Sequence, residues 1–369
     1  MRLEIFHAKE LLRYLDKKMS GERERVCVTA ATGFIGSCLV KNLLEKGFTV
    51  HATCRDPENP AKTGHLLSLP GAKERLHLFK ADLSHQGSFD SAIEGCDFLI
   101  NLATSMEFDS NDPECLVFSL FDGTYQTGFI RSTIDGTVDI LRACKKAKTV
   151  RRVIHTSSIT AASPLDENGN FKECLDESCW TPVDYIRAKK PKYWMYYVTK
   201  TLAEQAALQC SADDEIEVVT VCVALVGGPS FTPTFPSSIS QILTPITGNR
   251  ELCETVNELQ SLTGSIPMVH IEDVCHTHIF LMQHPFAVGR YLCCSDALTI
   301  ADMADFFSKR HQPVHIAFKN MVKDEVKGFV PVSSKKLTEL GFSYKYGMEE
   351  IVDHGIQCAK KMRVLSQEC

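Results

Sequence analysis

The chain has no surplus of positive charge. Its 40 Lys and Arg are outnumbered by 46 Asp and Glu, for a formal net charge of −6. A protein that tracks a phosphate backbone needs a basic footprint, so nucleic acid is excluded as the expected partner. There is also no run near the ~18 apolar residues that a helical membrane span requires. Of the sixteen cysteines, none stands in a CxxC pair, which removes the usual zinc and dithiol signatures and leaves no metal site to expect. Cys27, Cys54, Cys222, Cys293 and Cys294 lie inside apolar, strand-like runs, where free thiols pack as small hydrophobes in a reducing compartment. The first segment, "MRLEIFHAKELLRYLDKKMSGERER", mixes both charge signs. It has no apolar core of a signal peptide, and its acidic residues do not suit a transit peptide. Residues 1–24 are therefore expected to form a poorly ordered or loosely helical extension, with Met19 as a second start. The cytoplasm is the expected location.

After Arg25 short apolar runs alternate with helical patterns. "RVCVTA", "FTVHATC", "RLHLFKADL", "CDFLINLAT", "VRRVIHTSS" and "EIEVVTVCVALVGGP" read as six strands rich in β-branched residues, the texture of strands buried on both faces. Helical spacing fills most of the intervals, as in "TGFIGSCLVKNLLEKG" and "TIDGTVDILRACKKA". This alternation predicts an α/β fold with a doubly wound parallel sheet, ligands gathering at the carboxyl ends of its strands. Past Pro229 the pattern becomes loop-rich and mixed, as in a smaller C-terminal substrate lobe. The expected division is a nucleotide-binding domain over 25–228 and a substrate lobe over 229–369, with 268–295 returning to the first domain.

The first strand runs into "TAATGFIG" and then directly into a helix. A dinucleotide turn wants three small residues: one for the tight bend, one for close approach to pyrophosphate, one for helix–strand packing. Gly33 and Gly36 fill the second and third positions, while Ala30 stands at the first. The pyrophosphate would rest on the amides that open the helix. Arg55 lies 19 residues beyond Gly36 and is followed by Asp56. An acid here would hold a ribose 2′-hydroxyl, a base the 2′-phosphate. Asp56 before Pro57 also serves as a turn residue. Arg55 with Lys62 offers two cations to a dianion, which favours NADP(H). Asp82 either ends the third strand beside the adenine or caps the following turn.

"HTSSITAAS" brings Ser157 and Ser158 to the end of the fifth strand, and "KYWMYYVTK" contains three tyrosines. Only Tyr196 has a lysine, Lys200, four residues on and so on the same helical face. Tyr193 and Tyr197 share that spacing, which reads as packing. A Tyr–Lys pair at this spacing recurs by chance; with a serine at a strand end it becomes a Ser–Tyr–Lys set.

With "DESCWTPVDYIRAKK", "WMYYVTKTLAEQAA", "TPITGN" and "GSIPMVHIEDVCHTHIFLMQHP" followed by "GRYLCC", the sequence from about Val26 onward resembles the extended short-chain dehydrogenase/reductases. Within them it resembles the plant dihydroflavonol 4-reductase-like branch, nearest to the anthocyanidin reductases. The resemblance implies a Rossmann fold and an NADPH-dependent reductase of a flavonoid-like, phenolic small molecule. It implies Tyr196 as general acid, with Lys200 lowering its pKa and holding the nicotinamide ribose, and Ser158 rather than Ser157 as the hydrogen-bond partner of the reacting oxygen. Cofactor contacts are expected from Thr32, Gly33, Phe34, Ile35, Gly36, Arg55, Lys62, Asp82, Leu83, Ala103, Tyr196 and Lys200. The competing readings are ketone reduction by a dihydroflavonol 4-reductase and an NADP-binding regulatory protein without turnover. His270 and Asp273 in "VHIEDV" are expected to be structural caps.

Four departures from the family pattern stand out. Ala30 replaces the first glycine, Val223 stands where a proline is usual beside the nicotinamide, and Ser163 stands where dihydroflavonol reductases often carry an asparagine. The fourth is "CLVFSLFDGTYQTGFIRS", roughly a dozen residues longer than a link of its kind needs. It is either a substrate lid or translated intron from an alternative gene model, and the second is the expectation. Deleting Val117 to Phe129 is accordingly expected to leave soluble folding and turnover intact, and loss of either would identify the segment as a working part.

Overall fold

Strands that are apolar on both faces must be covered on both faces, and the chain meets that demand with helices. The structure, a computed structural model, describes residues 23–104, 116–118, 125–211, 216–310, 318 and 328–366. The strands are β1 (Arg25–Val28), β2 (Thr49–Cys54), β3 (Leu76–Lys80), β4 (Phe98–Asn101), β5 (Leu116–Phe118) and β6 (Tyr125–Thr127), then β7 (Arg152–Ser158), β8 (Glu217–Val223), β9 (Leu225–Gly227), β10 (Ile266–His270), β11 (Gly289–Cys293) and β12 (Asp296–Leu298). Seven form one sheet in the order β11-β8-β7-β4-β1-β2-β3, and every pairing in it is parallel. All six strands read from the sequence lie in it.

The order reverses at β1. The chain first winds outward through β2 and β3, then returns to β4 on the other side of β1. Helices on opposite sides of that switch leave a crevice at the carboxyl ends of β1 and β4, where such sheets take ligands. The helix Phe34–Glu45 covers one face and is tied to the later helix Ile271–Gln283, since Asn42 and Lys41 donate to Glu272 at 3.0 and 3.2 Å. On that later helix His270 is the N-cap, accepting from the Glu272 amide, while Asp273 accepts from the Lys345 and Tyr346 amides.

A smaller sheet, β12-β10-β9, pairs β9 with β10 in parallel and β10 with β12 antiparallel. Around it Ile239, Val256, Leu259, Met268, Ile351 and Ile356 belong to a second apolar core. The mixed texture past Pro229 turns out to be largely helical, with Ser237–Ile242, Arg250–Thr263, Ile271–Gln283, Ile300–Arg310 and Met348–Lys361 among its elements. Several of its helices carry an apolar stripe and a polar face, a period the reading of this region as loop-rich passed over. β5 and β6 make an antiparallel ribbon, and the helix Gly128–Ala147 starts earlier than "TIDG". The rest of the lid-or-artefact segment, and residues 1–22, lie outside the described residues. No described helix is long and apolar enough to cross a membrane.

One buried ion pair joins the sheet to its covering helix. Arg290 on β11 donates to both carboxylate oxygens of Glu204, at 2.8 and 3.1 Å. Glu204, on the helix Trp194–Gln209, also accepts from Ser157 on β7 and Thr220 on β8, each at 2.7 Å. The Arg290 guanidinium lies 3.7 Å from the Trp180 ring centroid and donates to the carbonyls of Ala161 and Cys179. Glu204 is fully buried and Arg290 nearly so. Removing one partner would strand the other charge without water, so Glu204→Ala should lower unfolding free energy by about 3–5 kcal/mol. Urea denaturation measures this, and a loss under about 1 kcal/mol would show the pair to be dispensable.

Candidate active site

The turn after β1 is shaped by contacts that leave no room for side chains. A Cβ on Gly36 would sit 2.5 Å from the Ala30 carbonyl oxygen and 2.8 Å from Ala31 Cα, so only glycine lets the helix start this close to the strand. Gly33 is the N-cap of the helix Phe34–Glu45 and supplies no side-chain acceptor; the first-turn amides are thereby left to an anion. Ala30 has φ +50°, the left-handed region that a Cβ disfavours. Thr29 braces the floor: its hydroxyl donates to Asn101 at 2.8 Å and accepts from the Leu102 and Ala103 amides at 2.9 Å.

Across the turn, the helix Pro60–Leu67 is capped by Asn59 and held to the first helix by a 2.8 Å bond between Ser37 and His65. That anchoring brings Lys62 into the cleft, facing Arg55 from the loop after β2. The residues present therefore fit a dinucleotide whose ribose bears a phosphate.

At the other end, β-strand alternation sends adjacent serines opposite ways. Ser157 turns to Glu204. Ser158 ends β7 opposite Val223 of β8, and its oxygen accepts from the Thr160 amide and hydroxyl at 3.2 and 3.0 Å. Tyr196 and Ser158 line the same cleft, and the Ser158 side chain favours the ionised form of the phenol. Burial raises the pKa of Tyr196 above the ordinary phenol value, and Ser158 pulls it part of the way back. Lys200 Nζ donates to the Thr156 carbonyl at 2.9 Å and the Thr104 hydroxyl at 3.1 Å. Burial pushes Lys200 down to about 8, against the attraction of Glu204. Here the Lys200 ammonium is turned to Thr104 and the Thr156 carbonyl, and the downward pull on Tyr196 comes from Ser158.

One cleft of about 850 Å³ collects Thr32, Gly33, Phe34, Ile35, Gly36, Arg55, Lys62, Ser158, Tyr196 and Lys200. Three expected contacts are not among its walls. Asp82 is engaged with the Ser84 amide and hydroxyl, Leu83 packs where Gly136 leaves space, and Ala103 is buried with its amide bonded to Thr29. Leu102 and Thr104 flank Ala103 in the cleft instead. Sequence reading missed Thr104, and it missed Glu204 although Glu204 extends the Tyr196–Lys200 spacing by four more residues. Val223 does line the cleft. Ser163 does not: it is fully buried and donates to the Leu262 carbonyl at 2.5 Å.

Comparison with known proteins agrees with this geometry. Residues 26–293 match the NAD dependent epimerase/dehydratase family. The chain belongs to that family and is an oxidoreductase of the extended short-chain dehydrogenase/reductase type. A putative anthocyanidin reductase of Ginkgo biloba is 44% identical over 94% of this chain and 97% of its own length. A dihydroflavonol 4-reductase of Dianthus caryophyllus is 41% identical over 94% of this chain and 89% of its own. The crystal structure of vestitone reductase from alfalfa superposes with a TM-score of 0.74 at 36% identity, covering 93% of this chain and all of that one.

The strain at Ala30 generates a direct test. Ala30→Gly should raise the urea midpoint by the equivalent of about 0.5–1 kcal/mol and tighten NADPH binding; an unchanged midpoint and affinity would show the turn to be relaxed.

Proposed function

We propose that this protein reduces a planar, flavonoid-type phenolic substrate with NADPH, in the manner of an anthocyanidin reductase. The reading rests on one observation above all, that Ser158, Tyr196 and Lys200 line one cleft with the dinucleotide turn from Thr32 to Gly36. Residues 25–228 supply the cofactor side and 229–369 the substrate side, with 268–295 returning to the first. Arg55 and Lys62 select the 2′-phosphate, Thr32 to Gly36 receive the pyrophosphate, and Asp82, Leu83 and Ala103 border the adenine half from behind the wall. The bound nicotinamide supplies the hydride.

Ser158 orients the substrate oxygen, and Tyr196 gives it a proton as negative charge develops there. A raised pKa suits that task, because the phenol stays protonated until the reacting oxygen becomes the stronger base. Lys200, held by Thr104 and the Thr156 carbonyl, has one ammonium N–H beyond those two bonds for a ribose hydroxyl, and its charge favours the phenolate left on Tyr196. The burial of Ser163 supports the anthocyanidin reductase reading over the dihydroflavonol one, since a residue bonded to Leu262 behind the wall cannot grip a ring in the cleft.

The decisive assay uses purified protein and NADPH with cyanidin and dihydroquercetin in parallel. Turnover of cyanidin is expected, and Tyr196→Phe should lower kcat by about 10²–10⁴-fold while NADPH still binds. Activity that survives the substitution would remove Tyr196 as proton donor. Lys200 must be charged to assist, so kcat/KM should fall as pH rises through about 8; a flat profile to pH 10 would exclude that role. Arg55→Ala should cut the preference for NADPH over NADH by about tenfold or more, read as the ratio of kcat/KM values.

A further inference from the structure

Tyr193 packs against the apolar cluster that holds Tyr197, as its spacing implies, and its place in the fold allows more than packing. It is the N-cap of the helix Trp194–Gln209, with φ +66° and ψ +14°. A bulky aromatic in the left-handed region is a backbone outlier that persists only where its surroundings hold it. What holds it is a contact across the cleft: its hydroxyl lies 3.0 Å from Thr255 Oγ1 on the helix Arg250–Thr263. Both residues line the cleft that contains Tyr196 and Ser158, with Leu252 and Leu259 from the same substrate-lobe helix.

The protons of this pair can be assigned. Thr255 Oγ1 donates its only proton to the Glu251 carbonyl at 3.0 Å, because a carbonyl can only accept. Tyr193 must therefore be the donor to Thr255. Its phenolic oxygen has then used its proton and keeps its lone pairs as acceptors, with the Lys192 ammonium, bonded to Glu254, beside the ring.

We propose that the Tyr193–Thr255 pair is a specificity-determining end of the substrate cleft, where the Tyr193 oxygen accepts a hydrogen bond from a phenolic hydroxyl remote from the reacting carbon. The proposal rests on the reductase reading and adds to it which substituent the cleft selects. A phenol O–H fits, whereas a methyl ether at that place brings an acceptor against the Tyr193 acceptor. Because Tyr193 and Thr255 already satisfy each other, a ligand lacking the hydroxyl leaves no orphaned group behind, and the discrimination is moderate, about tenfold.

The test is calorimetric binding to the NADP-loaded protein of two flavan-3-ols, the product class of the proposed reaction, that differ only in the 4′-hydroxyl, together with the 4′-methyl ether. Wild type should bind the hydroxylated compound about tenfold more tightly than the other two. In Tyr193→Phe that preference should vanish. Thr255→Ser should keep it. Thr255→Val frees the Tyr193 proton to serve as a donor and should raise affinity for the methyl ether, a gain that a merely structural role would not produce and that does not depend on Tyr193→Phe folding. Equal binding of all three by wild type, or a preference that survives Tyr193→Phe, overturns this proposal alone. Failure of wild type to bind any of them overturns it together with the flavonoid reading.

Discussion

The arrangement of the active site depends on a carboxylate held in the dark between helix and sheet. Glu204 faces three successive strands from one helix, through Ser157 of β7, Thr220 of β8 and Arg290 of β11. Two charges removed from water are costly, and the attraction between them compensates only when their remaining donors and acceptors are met. Here they are met, by hydroxyls on the acid's side and by backbone carbonyls and the Trp180 ring on the base's side. The consequence reaches the chemistry without touching it. Since Ser157 is bound inward, its neighbour Ser158 must face out, and since Glu204 fixes the roll of its helix, Lys200 and Tyr196 one and two turns earlier are fixed as well.

The cofactor end is built differently, from backbone rather than charge. Gly36 permits a separation that any other residue would break, and Ala30 accepts an unfavourable φ to complete the same bend. Arg55 and Lys62 reach the cleft from a loop and a short helix, and the Ser37–His65 bond sets how closely that helix lies to the turn. Cofactor preference in this chain is thus exposed to changes at His65, a residue with no charge to offer a phosphate directly.

The parts legible in the sequence were those with a short period or a short spacing. Six of the seven sheet strands show as β-branched runs, and Tyr196 with Lys200 shows because four residues make one turn. β11 shows only as the strand-like run at Cys293 and Cys294 within the 268–295 return, because "GRYLCC" is brief and follows a region of mixed texture. The Tyr193–Thr255 contact spans 62 positions and depends on a backbone angle that no residue preference announces for tyrosine. Ala103 lies just past β4, buried with its amide bonded to Thr29, while Leu102 and Thr104 on either side line the cleft.

The path of the chain between β10 and β11 has a consequence for synthesis on the ribosome. Glu204 leaves the exit tunnel 86 residues ahead of Arg290, so for that interval a lone acid sits in what will become the interior. The sheet's last strand cannot be laid down until β9 and β10 of the smaller sheet have been made, and the bonds of Arg290 reach back as far as Ala161. Such late closure slows folding and prolongs exposure of the β8 edge until residue 293 has emerged.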